Sequence, residues 1–62
     1  MVILFRCNEE NLIMFLKTET RPMVGDLVLI KDKEYVVTRV AWFLEDSPGQ
    51  SGLVTYIKRK EI

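Results

Sequence analysis

The chain has 62 residues, of which 48% are hydrophobic, and its nine basic and nine acidic side chains cancel to a formal net charge of zero. So balanced a charge lacks the cationic excess of a nucleic-acid footprint, and so apolar a composition is not that of a disordered chain. Cys7 is the one cysteine and histidine is absent, which leaves a domain this small without a disulfide or the commonest zinc-site partner of cysteine and points to self-association as its support.

"MVILFRC" opens the chain as a strand, rich in β-branched and aromatic residues, and "NEEN" at residues 8–11 is a polar turn. The next piece, "LIMFLKT", has two readings. Asn8 could cap a helix over residues 9–17, with Glu9 and Glu10 in its first turn and Leu12, Ile13 and Leu16 on one stripe. That helix would be short for a globular protein, and length favours a strand. Pro22 ends whatever precedes it, and Gly25 and Asp26 supply a turn ahead of the strand "LVLI".

"KDKE" at residues 31–34 reads as a hairpin turn centred on Asp32, which tolerates tight-turn backbone angles. The return strand, "YVVTRVAWFL", is long enough to require a bend or bulge. "EDSPGQSG" is a loop, and "LVTYIKRKEI" is the last strand. The expectation is one all-β domain over residues 1–62, a small antiparallel meander or SH3-like barrel of about five strands. The alternative is an α+β domain with one short helix near residues 9–17.

Residues 22–42 carry the order Pro22, Gly25, Asp26, Val28, then Tyr35, Val37, Val40 and Trp42. This P-x-x-G-D-x-V run leading into Y-x-V-x-x-V-x-W resembles the entry to small SH3-like β-barrels and is similar to short uncharacterised proteins of bacteriophages and prophages. The resemblance implies a binding module without a particular activity, with a phage or host protein as partner, since such folds carry many unrelated functions.

Catalytic chemistry finds little to stand on. Without histidine, Ser47 and Ser51 lack the usual general base. Gly25, Gly49 and Gly52 do not have phosphate-loop spacing. Asp32, Glu34, Glu45 and Asp46 read as solvated turn residues, and a chain this short is not expected to form a pocket of a few hundred Å³. The expectation is a protein that is not an enzyme and takes no cofactor, metal or small-molecule substrate. The unpaired thiol and the absence of an apolar run long enough for a membrane span or signal core suggest a cytoplasmic protein, that is, the host cytoplasm for a phage-type protein.

The strands pose the main question. Strict alternation puts Val36, Val40, Trp42 and Leu44 on one face of the long strand and Tyr35, Val37, Ala41 and Phe43 on the other. Likewise Val2 and Leu4 oppose Ile3 and Phe5, while Leu12, Met14 and Leu16 oppose Ile13 and Phe15. Either bulges gather these residues into one core, or an apolar patch is left for a partner or a second copy of the chain. On the second view Trp42, Phe43, Tyr56 and Tyr35 are the anchors of a protein-interaction module. Two alternatives stand beside it. One is a nucleic-acid-binding barrel using those aromatics with Arg39, Lys58, Arg59 and Lys60. The other is a structural subunit of a larger assembly such as a virion part.

Overall fold

The computed structural model describes residues 2–44 and 52–60, so most of the expected loop, with Ser47, Pro48, Gly49 and Ser51, lies outside the described residues. It contains five strands and, among the described residues, no helix: β1 (Val2–Cys7), β2 (Leu12–Lys17), β3 (Leu27–Ile30), β4 (Lys33–Phe43) and β5 (Gly52–Arg59). The all-β reading holds, and "LIMFLK" is a strand. Gly52 is a correction to the sequence reading, since it opens β5 instead of closing the loop. It sits there because a Cβ at this position would run into the backbone carbonyl of Val2, while the Phe43 ring lies over the bare backbone.

The turns follow from residues that accept left-handed backbone angles. Asn11 (φ 52°) completes the turn between β1 and β2, where its N–H donates to the Asn8 carbonyl at 3.4 Å. Lys31 and Asp32 (φ 50° and 67°) form a two-residue turn between β3 and β4, the primed geometry whose twist matches that of the strands it joins. At Met23–Asp26 the Asp26 N–H donates to the Met23 carbonyl (3.0 Å) and the Asp26 carboxylate accepts from the Met23 N–H (2.9 Å). Gly25 supplies the positive φ (97°) that this turn requires.

The strands form one sheet in the order β2-β1-β5-β4-β3. β1–β2, β3–β4 and β4–β5 pair antiparallel, while β1 runs parallel to β5 with Ile3 beside Leu53. β4 carries one irregularity. Val37 stands opposite Ile57 and Arg39 opposite Tyr56, leaving Thr38 as an extra residue whose hydroxyl donates to the Tyr56 carbonyl at 3.2 Å. The bulge inverts the alternation. Val40 and Trp42 therefore share a face with Tyr35 and Val37, and the strict period-two assignment is corrected.

Following the registers across the sheet, residues that face each other line up in rows on the concave side: Leu12, Cys7, Ile57, Val37, then Met14, Phe5, Thr55, Val40, then Leu16, Ile3, Leu53, Trp42. The sheet curls so that edge residue Ile30 joins Cys7, Tyr35, Val37 and Ile57 in one buried cluster, with Phe5, Leu12, Val28 and Val40 packed against it. All five strands thus contribute to one core. The two edges do not pair, and the result is a curled half-barrel. Because β2 and β3 are opposite edges, the nine residues between them must traverse the sheet, a flat span of about 19 Å that such a segment reaches easily. Its far end docks through paired hydrogen bonds, Gly25 N–H to the Val37 carbonyl (2.9 Å) and Val37 N–H to the Asp26 carbonyl (3.0 Å).

Thr55 is wholly buried in the middle row, and among the described residues its hydroxyl has no hydrogen-bond partner. A buried hydroxyl without a partner costs free energy that an isosteric methyl would not. Thr55→Val should stabilise the domain by about 1 kcal/mol, which thermal unfolding would register as a melting temperature several degrees higher.

Candidate functional site

One end of the sheet carries a polar clamp. Glu10, in the β1–β2 turn, accepts hydrogen bonds from the Tyr35 hydroxyl (2.7 Å) and from Arg59 (3.3 Å). Tyr35 is only 2% exposed. It is thus a core residue with its hydroxyl engaged, not a partner anchor, and the Arg59 guanidinium 5.9 Å from its ring is tied to the same carboxylate. The tyrosine hydrogen bond, assisted by Arg59, lowers the Glu10 pKa below its ordinary 4.5, and donating that bond to the Glu10 carboxylate raises Tyr35 above 10. Lys60 lies 4.0 Å from the Glu34 carboxylate, and its N–H donates to the Glu34 carbonyl.

The opposite end stays open. There Trp42 stands at the rim of the concave face, 57% exposed, with the Arg21 guanidinium 4.9 Å from its ring centre. The crossing segment and β4 enclose a groove of about 650 Å³ lined by Arg21, Pro22, Met23, Val24, Val40, Ala41, Trp42 and Leu53. Its wall is apolar apart from Arg21. A concavity of this size was not expected from so short a chain. It exists because residues 21–24 of the crossing segment form a second wall against β4 and Leu53 of β5, so the groove lies between the connection and the sheet instead of being hollowed out of one core.

The convex face holds a different constellation. Arg6 on β1 and Arg39 on β4 flank Tyr56 on β5 in a single cross-strand row, and Lys58 follows on the same face of β5. Arg39 lies 4.3 Å from the Tyr56 ring centre, and Arg6 Nε donates to the Asn8 side chain at 2.8 Å. These cations and Tyr56 line a depression of about 380 Å³ together with Asn8, Glu9 and Thr38. Phe43 is on this face too, half-buried against Gly52.

The sequence-predicted residues are therefore dispersed. Trp42 alone of the four aromatics occupies the concave groove, Tyr56 and Phe43 lie on the convex face, and Tyr35 is interior. Of the basic set, Arg39 and Lys58 come together, while Arg59 and Lys60 are engaged with Glu10 and Glu34. Arg6 and Arg21 were missed. Arg6 reaches the cluster only through the parallel β1–β5 pairing, and Arg21 only through the crossing segment, and neither contact leaves a local mark in the sequence. Cys7 is fully buried, and among the described residues no cluster of carboxylates and thiols could hold a metal ion.

No protein-family model, curated protein or solved structure matches the chain.

The clamp has a defined pH signature. Because folding depresses the Glu10 pKa, its contribution is fully present above pH 4.5 and is lost as pH falls through the folded value. The raised Tyr35 contributes below pH 10 and loses its part as pH rises through its own folded value. Chemical-denaturant midpoints measured between pH 2 and 6 should fall on acidification in the parent, and more shallowly in Glu10→Gln.

Proposed function

We propose that the protein is a non-enzymatic binding module that takes up an extended apolar segment of a partner protein in the groove beside Trp42. The observation that carries this reading is the half-exposed indole at the rim of an apolar, two-walled groove. Large aromatics set in such surroundings supply much of the free energy of interfaces, since their burial desolvates a wide area at small entropic cost. Arg21 is the charged residue of the groove and favours a segment with a carboxylate next to its apolar residue. The resemblance of residues 22–42 to small phage-type SH3-like barrels supports a binding role and would make the partner a host or phage protein. Much of the groove wall falls within that stretch.

A second reading, nucleic-acid binding, is favoured by one observation, the placement of Arg6, Arg39 and Lys58 around Tyr56 on the convex face. Cations at that spacing suit a phosphate backbone, and such binding weakens steeply with salt.

The two readings separate in one set of titrations. Trp42 is the sole tryptophan, so its fluorescence reports the groove directly. Titrating a library of short peptides that combine an aromatic or aliphatic residue with a flanking carboxylate should blue-shift this emission. Arg21→Ala should weaken the response roughly tenfold, in line with loss of a charge-assisted contact. Absence of any response from the peptides, together with salt-sensitive binding of single-stranded oligonucleotides that Arg39→Ala abolishes, would instead establish the second reading.

A further inference from the structure

We propose that β2 is a self-recognition edge, through which two copies of the chain pair antiparallel about a two-fold axis at Met14 and continue the sheet from one protomer into the other. This goes beyond the groove reading and does not depend on it, since β2 is an edge strand that lines no part of the Trp42 groove.

Three observations carry the inference. First, β2 is a six-residue edge strand with a run of five consecutive apolar residues, Leu12 to Leu16, and within that run it has no proline, charge or bulge. Edge strands that stay unpaired are normally guarded by those devices or kept short. The other edge, β3, is four residues long and runs into a turn containing Lys31 and Asp32.

Second, β2 is exposed on both faces. Ile13 and Phe15 on the convex side are 52% and 69% exposed, and Met14 and Leu16 on the concave side 39% and 49%. Continuous apolar runs are the mark of strands covered on both sides and flanked by neighbours, whereas among the described residues of a single protomer β2 has one neighbour. At about 200 Å² per large side chain, these four residues leave on the order of 400 Å² open. A second strand added in the plane of the sheet would cover part of this area in each copy, the scale of a weak, concentration-dependent interface.

Third, the strand is complementary to itself in one register. A two-fold axis perpendicular to the sheet pairs residues of equal parity. With the axis at Met14, Leu12 faces Leu16, Ile13 faces Phe15 and Met14 faces its own copy, so each of the five apolar residues meets another. Moving the axis to Phe15 sets Ile13 against Lys17, and moving it to Ile13 sets Phe15 against Asn11. The occupant that satisfies both the unpaired backbone and this symmetric pattern is a second copy of the same strand.

The register gives a decisive experiment. The parent chain should sediment as a monomer–dimer equilibrium in the micromolar range. Met14→Lys and Met14→Glu each place like charges opposite one another at the axis and should weaken dimerisation by about 100-fold or more, while circular dichroism shows the β-sheet signal retained. Mixing the two variants should restore a dimer containing one of each. Met14→Cys should oxidise to a covalent dimer, because residues directly opposite have Cα atoms about 5 Å apart. Phe15→Cys should not, because its copy would lie about 8 Å away. The proposal is overturned by a parent that stays monomeric to hundreds of micromolar, by folded charge variants that still dimerise alone or fail to associate when mixed, or by cross-linking at position 15 in preference to 14. Should the charge variants not fold, the cysteine pair decides by itself.

Discussion

The extra residue at Thr38 governs the rest of the molecule. β4 is the longest strand and contributes Tyr35 and Val37 to the core on one side of the bulge and Val40 and Trp42 on the other. Without the inserted residue, the second pair would point away from the first and no single interior could hold them. By inverting the alternation midway, the bulge lets one strand serve the clamped end and the groove end alike. It also places Arg39 outward beside Tyr56, so the convex basic row depends on the same residue as the concave groove.

Much of the architecture was legible because it is written locally. Polar and left-handed-tolerant residues at 8–11, Gly25 and Asp32 separate the first four strands, and the structure has its turns at these places. The bulge is different in kind. Thr38 is a good strand former in a strand of good strand formers, so its sequence context shows that β4 must deviate without showing where. The deviation becomes visible only when the partner strand is laid alongside and Val37 and Arg39 are found opposite consecutive residues of β5.

The candidate site was harder to read for the same reason. Tyr35 has the composition of an interface anchor, but a carboxylate 25 positions away satisfies its hydroxyl and lets the ring go inside. Trp42 has no such partner among the described residues and remains at the rim, held by Arg21 through the ring face alone. Aromatic residues of similar sequence context thus part ways according to what long-range topology brings to their polar atoms. The groove itself belongs to no single segment, and its second wall is the connection that two opposite sheet edges make necessary.

The parallel pairing of β1 with β5 bears on how the domain comes into being. Val2 aligns with Gly52, about 50 residues later, so the central ladder of the sheet cannot form until nearly the whole unit has been synthesised. At 5–20 residues per second that is a delay of about 3–10 s, far longer than a hairpin needs to close. During this interval the β1–β2 hairpin has neither its β5 neighbour nor a covered face. Folding is consequently a late event that must close a long loop before its principal contacts are made. The nascent chain passes through a state in which its most apolar segments face the surroundings.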